Sequence, residues 1–171
     1  MTVELLIDEE KIRERLVALG REIEADYRDR PLTIVAVLTG SLIALADLVR
    51  QIRIPLRIAL LQASSYRGAS TTSTTLVVNE AFAPDVVARD VLLLDDILDT
   101  GQTLSALVDH LKDRGAASVS TAVLLRKIGR QVVPIEPDYC GFVIPDVFVV
   151  GYGLDFNDEY RHLPYVGVLR Q

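Results

Sequence analysis

Three aspartates and a short Thr/Gly turn stand side by side in the sequence, between an apolar run and a helical pattern. Asp95 and Asp96 directly follow Val91–Leu94, which has the length and apolar character of a strand covered on both faces. Asp99 opens a turn that continues through Thr100–Thr103. Ligands of an open parallel sheet bind outside the carboxyl ends of its strands, so we expect these side chains to face a binding crevice.

The turn has the properties of a phosphate-binding site. Free backbone N–H groups and the dipole at a helix N-terminus favour an anion. Gly101 allows close approach of the backbone, and the hydroxyls of Thr100 and Thr103 add donors. The three carboxylates would repel an anion unless the ligand also offers hydroxyls and a hard cation such as Mg²⁺ bridges the oxygens. A ribose phosphate with a pyrophosphate group satisfies these conditions.

Each fragment also has an ordinary explanation, because paired aspartates can cap a helix and Thr-Gly turns are common. The full order is more specific: apolar strand, two acids, two apolar residues, Asp-Thr-Gly, any residue, Thr. It resembles the phosphoribosyl pyrophosphate signature of the type I phosphoribosyltransferases, some of which have Glu in place of Asp95. The resemblance implies that Asp99 is a general base. It also implies a set of ribose and 5'-phosphate contacts, namely Asp95, Asp96, Asp99, Thr100, Gly101, Gln102 and Thr103.

Further segments resemble the purine branch of this family, the enzymes for hypoxanthine and guanine. Leu38–Ser41 resembles their pyrophosphate loop, and Ser65-Tyr66 resembles the pair in their closing lid. Leu124–Lys127 and Val147–Asp155 resemble their purine-binding strand and hood. The implied site residues are Thr39, Gly40 and Arg161 for pyrophosphate; Lys127, Phe148, Val149 and Asp155 for the purine; Asp95, Asp96 and Asp155 for the metal; and Ser65 and Tyr66 for the lid.

The implied reaction transfers the 5-phosphoribosyl group from phosphoribosyl pyrophosphate to hypoxanthine or guanine, giving IMP or GMP and pyrophosphate. The resemblance further implies a Mg²⁺ cofactor and a homodimer or homotetramer. Lys127 has a physical reason to favour an oxo base, since its ammonium group offers no acceptor to an amine. Some relatives carry Lys where this chain has Thr39 and Val147, so backbone amides and metal are expected to matter more here. An unusual cis peptide is suspected for this type of loop, and the sequence leaves open whether the Thr39-Gly40 peptide is cis or trans.

The order of elements predicts how these segments are positioned. Strand and helix patterns alternate after a first amphipathic helix over Asp8–Asp26, which predicts an α/β fold with a mainly parallel central sheet flanked by helices. The other predicted elements are strands at Leu32–Leu38, Leu56–Leu61, Val91–Leu94, Ser118–Leu125 and Phe148–Val150, and helices at 41–51 and 103–114. We expect one type I phosphoribosyltransferase domain over 1–171, with a mobile lid at about 63–75 and a small hood lobe, built largely from 134–171, over the strand carboxyl ends.

Composition argues against several other classes. The 18 Lys and Arg face 24 Asp and Glu, and this net charge of -6 lacks the positive field of a nucleic-acid-binding protein. The uncharged run 32–46 is shorter than the roughly 20 residues of a membrane helix, and the first residues carry acids instead of a secretory signal's basic residues. We therefore expect no nucleic-acid or membrane partner and a cytoplasmic location. His110 and His162 are predicted to be surface residues.

Two alternatives stay open for the function. A regulator with this fold could sense phosphoribosyl pyrophosphate without catalysing transfer, but it would need a basic face or a DNA-binding extension, and neither is evident. An enzyme for another base would keep the donor site and change the hood. Lys127, Phe148 and Val149 count against adenine and uracil, whereas xanthine stays open beside hypoxanthine and guanine.

Overall fold

A six-stranded sheet forms the centre of the computed structural model, which describes residues 1–67 and 74–170. The elements in chain order are β1 (Thr2–Ile7), α1 (Glu9–Asp26), β2 (Leu32–Leu38), α2 (Leu42–Val49), β3 (Arg57–Arg67), β4 (Thr74–Val78), a 3-10 helix (Glu80–Phe82), β5 (Asp90–Leu98), α3 (Gln102–Asp113), β6 (Ser118–Lys127), β7 (Tyr139–Ile144), β8 (Val149–Val150) and β9 (Val166–Arg170). The strand order is β4-β3-β2-β5-β6-β7, and every neighbouring pair is parallel except β3 and β4. The predicted mainly parallel sheet is confirmed.

Helices cover both faces of this sheet, which explains why its central strands are apolar throughout. In β2, Ile34 and Ala36 belong to one core with the buried residues of α1 and α2. Val35 and Val37 point the other way and pack with the buried leucines of α3. Because successive side chains of a strand face opposite sides, a strand between two helical layers has no polar face.

A second, antiparallel sheet has the strand order β1-β9-β8. Its buried residues Ile7, Val149, Val166 and Val168 share one core with α1. This small sheet differs in two strands from the range 134–171 from which the hood is largely predicted. The β7 strand, although within 134–171, pairs in parallel with β6 as the edge of the main sheet, and β1 completes the small sheet. As an edge strand with only one buried residue, β1 carries no burial pattern in its sequence.

Two predicted strand ends are also corrected. The β5 strand continues through Asp95 and Asp96 to Leu98, because β6 pairs with it along that whole length. Similarly, β3 continues into the polar stretch predicted as a mobile lid, where Ala63–Arg67 pairs with Thr74–Val78. Backbone hydrogen bonds form such ladders whatever the polarity of the side chains. The rest of that stretch, 68–73, lies outside the described residues.

The predicted helices are confirmed within a few residues at their ends. Asp8 caps α1 by accepting a hydrogen bond from Lys11 N at 2.8 Å. His162 is exposed as predicted, but His110 is half-buried on α3, and its Nε2 atom has no hydrogen-bond partner among the described residues. None of the helices in the described ranges is both long and apolar enough to cross a membrane.

Candidate active site

The loop between β5 and α3 forms an open cradle at the carboxyl end of the sheet. Gly101 is the N-cap of α3 and has a φ of 84°, in the left-handed region that glycine adopts without strain. A side chain there would also lie 2.8 Å from Ile135 Cγ2 and 2.9 Å from Val133 O. A cavity of about 230 Å³ opens over this loop and is lined by Val37, Asp95, Asp96, Ile97, Leu98, Asp99, Thr100, Gly101, Thr103 and Leu104. Six of the seven residues predicted to contact ribose phosphate line it, and Gln102 is the exposed exception.

Asp95 and Asp96 crowd the floor of the crevice. Burial, followed by the negative charge of Asp96, raises the pKa of the Asp95 carboxyl well above its usual range. Burial also raises the pKa of Asp96, against hydrogen bonds to its carboxylate and the positive charge of Arg161, which act in the opposite direction. Asp95 Oδ1 accepts a hydrogen bond from the Asp96 backbone N at 2.9 Å. A cation bound beside these two acids would stabilise their charged forms.

The loop after β2 reaches this floor. Gly40 packs against the Asp96 carboxylate so closely that a Cβ at position 40 would overlap its oxygen, and a Cβ at Gly153 would overlap the carbonyl of Gly40. The predicted pyrophosphate loop thus lies between Asp96 and the hood. A non-proline cis peptide joins Leu38 and Thr39, one residue before the peptide whose form the sequence left open.

A second cavity, of about 220 Å³, adjoins the first and has the lining of a base pocket. Its lining residues are Asp96, Ile97, Asp99, Lys127, Phe148, Val149, Leu154 and Asp155. All four residues predicted for the purine are among them. Phe148 is 52% exposed and makes an edge contact with Phe156, with ring centroids 5.8 Å apart. Its ring is therefore fixed at one edge and available for stacking on another flat group.

Asp99 lies where the two cavities meet, and two cations surround it. Arg130 Nε donates to Asp99 Oδ1 at 2.9 Å, and Lys127 Nζ lies 3.7 Å from Asp99 Oδ2. The same two cations lie 3.6 Å from Asp146 Oδ1. Sequence reasoning found Asp99 and Lys127 but missed Arg130 and Asp146. Neither belongs to a motif, and only the folded turn after β6 brings them to the site.

Arg161 is held by the hood itself. Its Nη1 donates to Gly153 O at 2.7 Å, and its Nη2 lies 2.9 Å from Asp155 Oδ1 and 3.2 Å from Asp158 Oδ1. Asp155 Oδ2 accepts a hydrogen bond from Asp158 N at 2.9 Å. Arg161 is thus fixed above the crevice near Asp96, with part of its charge already compensated by acids.

The structure assembles most, but not all, of the predicted site. Asp96 and Asp155 line one cavity and Asp95 and Asp96 the other, yet the described ranges hold no group of three His, Cys, Asp or Glu side chains placed to bind a metal ion. The predicted triad of Asp95, Asp96 and Asp155 is therefore not gathered around one point. The side chains of Ser65 and Tyr66 lie outside the described residues.

The family that this chain matches agrees with the geometry of the site. Residues 8–157, most of the chain, match the phosphoribosyl transferase domain family. Fold and site together thus define a phosphoribosyltransferase.

Individual relatives narrow the class. The hypoxanthine-guanine phosphoribosyltransferase of Streptococcus pneumoniae is 41% identical over 98% of this chain and 93% of that protein. The bifunctional protein TilS/HprT of Listeria innocua is 42% identical over 97% of this chain, which spans only 26% of that longer protein. The chain belongs to the hypoxanthine-guanine phosphoribosyltransferase family.

Solved structures agree. The hypoxanthine phosphoribosyltransferase of Staphylococcus aureus superposes with a TM-score of 0.91 at 38% identity, covering 98% of this chain and 91% of that one. The Trypanosoma cruzi enzyme in complex with the product IMP gives a TM-score of 0.87 at 35% identity, covering 98% and 94%. The type I phosphoribosyltransferase fold is thereby confirmed.

Proposed function

We propose that this protein transfers the 5-phosphoribosyl group of phosphoribosyl pyrophosphate to hypoxanthine or guanine in purine salvage. The observation that carries this proposal is the junction of the two cavities. The phosphate cradle and the base pocket share Asp96, Ile97 and Asp99 as common walls. A sugar held at that junction has its anomeric carbon between the base and the phosphate sites, as a nucleotide requires.

The donor side of the crevice suits a ribose phosphate. The 5'-phosphate would be bound by the amides and hydroxyls of Thr100–Thr103 at the start of α3. Ribose hydroxyls would donate to the acids at the end of β5. Thr39 and Gly40, with Arg161, would contact the pyrophosphate, and the guanidinium fork of Arg161 matches phosphate oxygens.

Mg²⁺ fits the donor set of the site. Asp95 and Asp96 supply hard oxygen ligands, and a divalent cation would relieve the burial and repulsion that raise their pKa values. Asp155, the third proposed ligand, is not gathered with them around one point, and its oxygens already accept from Arg161 and Asp158, so its part in binding the cation would require it to exchange these contacts. When bound, Mg²⁺ would balance charge on the departing pyrophosphate.

The base side suits a 6-oxopurine. Lys127, only 11% exposed, lies at the edge of the base pocket and would donate to the oxygen at position 6. Phe148 would stack on the ring, and Val149 would contact the base edge through its backbone. In the reaction, purine N9 attacks the anomeric carbon, the bond from that carbon to pyrophosphate breaks, and Asp99 takes the proton from N7.

We also propose that 63–75, including Ser65 and Tyr66, closes as a lid over the reactive sugar to exclude water. The paired strands β3 and β4 would then be the arms that carry it. A homodimer or homotetramer in the cytoplasm is the proposed state of assembly and location. Light scattering after gel filtration measures the assembly directly.

One assay tests the function. The protein is incubated with Mg²⁺ and phosphoribosyl pyrophosphate, separately with hypoxanthine, guanine, xanthine, adenine and uracil, and nucleotide formation is followed by chromatography. IMP and GMP are the expected products. Binding of the donor without any nucleotide would identify a sensor, and a product from adenine or uracil alone would contradict the assignment of the base pocket. A reaction with xanthine would widen the preference.

A further inference from the structure

We propose that Arg130 is the positioning residue of Asp99, and that it makes the two oxygens of this carboxylate unequal in function. The inference rests on the proposed role of Asp99 as the general base. Arg130 holds Oδ1, which leaves Oδ2 as the oxygen that accepts the proton from purine N7. A carboxylate that is free to rotate would present either oxygen, or neither, to the base.

The distances define this division. Arg130 Nε donates to Asp99 Oδ1 at 2.9 Å, which is the length of a charge-assisted hydrogen bond. Lys127 Nζ lies 3.7 Å from Oδ2, which is too long for a hydrogen bond. Only one of the two oxygens is therefore tightly held by a cation. The other lies on the side of Lys127, which lines the base pocket.

Arg130 is held in place by more than its own ion pair. The next residues of its turn are fastened to the backbone around Asp99: Val132 N and Val133 N both donate to Thr100 O, at 2.8 and 3.1 Å. Gln131 Nε2 donates to Lys127 O at 2.8 Å. An exposed ion pair ordinarily contributes little, because both side chains must be ordered to form it. Here the hydrogen bonds from Val132 and Val133 to Thr100 already hold the backbone next to Arg130 against the backbone next to Asp99.

Asp146 is a negative neighbour that Lys127 and Arg130 share. It lies 3.6 Å from Lys127 Nζ and 3.6 Å from Arg130 Nε, so both cations keep a negative neighbour. When a 6-oxopurine enters, Lys127 can exchange its long contact with Asp99 for a hydrogen bond to the base. Arg130 stays on Oδ1 and keeps the charge of Asp99 compensated. Lys127 therefore selects the base, and Arg130 aims the carboxylate.

The test compares Arg130→Gln and Arg130→Lys with a matched control. In Arg170→Gln the lost pair has nearly the same geometry, Arg170 Nε to Glu4 Oε2 at 3.0 Å, but lies in the small sheet away from the crevice. We expect Arg130→Gln to lower kcat by roughly 10- to 100-fold, the scale on which a misplacement of about 1 Å acts. The KM values for both substrates should change by less than about threefold, and Arg130→Lys should recover part of kcat. Arg170→Gln should match the parent protein.

A double variant separates this inference from the proposed function. If Arg130 acts through Asp99, then Arg130→Gln should have almost no further effect on kcat in the Asp99→Asn background. Near-normal turnover of Asp99→Asn alone would overturn the general base, and with it the proposed function of this residue. An inactive Asp99→Asn beside a fully active Arg130→Gln would overturn only the positioning role. Equal losses from Arg130→Gln in both backgrounds, or a rise in KM without a fall in kcat, would overturn it as well.

Discussion

The Asp96 carboxylate packs directly against the backbone of Gly40, with no space between them for a methyl group. The contact joins the end of β5 to the loop after β2. In the proposed function it brings the metal and ribose side of the crevice against the pyrophosphate loop. A change of one residue in the loop therefore acts on a carboxylate 56 positions away in sequence.

Gly40→Ala is expected to displace either the loop or Asp96, because the new Cβ would overlap the carboxylate oxygen. We expect the KM for phosphoribosyl pyrophosphate to rise by about tenfold or more, with kcat reduced, since small misplacements of positioning groups are costly. Gly20→Ala is the matched control. Its new Cβ, on α1, would crowd Gln51 just after α2, and we expect it to lower thermal stability without changing the KM for the donor. Similar KM values for Gly40→Ala and the parent would contradict this role of the contact.

Lys127→Ala is expected to weaken purine binding more than donor binding, because Lys127 lines the base pocket and not the phosphate cradle. Loss of one hydrogen bond from a charged group corresponds to about 1.5–3 kcal/mol, or roughly 10- to 150-fold in affinity. Titration calorimetry with each substrate measures both effects. Lys112→Ala, an exposed lysine on α3, is the control and should leave both affinities unchanged. Equal losses for base and donor would argue against the assignment.

Asp99→Asn is expected to retain donor binding and to lower kcat with hypoxanthine by about 10²- to 10⁴-fold, the usual scale of general base catalysis. The amide keeps the shape of the side chain but cannot take the proton. Asp109→Asn, an exposed acid on α3, is the control for the loss of one negative charge. Steady-state rates and donor binding, measured on both variants, distinguish a catalytic effect from a general weakening of the site.

Asp90 provides a test of pH-dependent stability away from the crevice. Hydrogen bonds from Arg30 and then Ser118 lower the pKa of Asp90 below its usual 3.8. The folded state thus binds the proton less readily than the unfolded state, and the contribution to stability is present above about pH 4 and lost as the pH falls through the lowered pKa. With Arg30 42% exposed, we expect a contribution of about 1 kcal/mol after screening, or roughly 2–4 °C in Tm.

Thermal unfolding of the parent protein and Asp90→Asn checks this sign. The parent should have the higher Tm at pH 7 and pH 5, and the two curves should start to approach each other only below about pH 3.8, as the pH falls towards the lowered pKa of Asp90. Arg30→Gln should behave as Asp90→Asn does, because it removes the same pair. A difference in Tm that grows as the pH falls would contradict the assigned direction.

Local sequence order predicted the parts of the site that lie on one continuous segment. The strand Val91–Leu94, the acids after it and the helix start at Thr103 are all visible in the sequence, because burial and helix capping depend on neighbouring residues. The predicted end of β5 at Leu94 was wrong, because the length of a strand also depends on the strand that pairs with it. Pairing with β6 continues to Leu98, and pairing partners are not encoded in the strand itself.

Contacts between distant segments explain what the sequence did not reveal. The sequence of β1 has no recognisable strand pattern, because this segment is extended through its pairing with β9, which lies near the other end of the chain. Arg130 resembles an ordinary surface arginine in the sequence, and only the turn after β6, whose Val132 and Val133 bond to Thr100, brings it to Asp99. The sequence alone determined which chemical groups this protein carries and the class of reaction that they suit. Tertiary structure alone decided which oxygen of Asp99 is held and which residue lies against Asp96, because such distances depend on how separate strands and loops pack together.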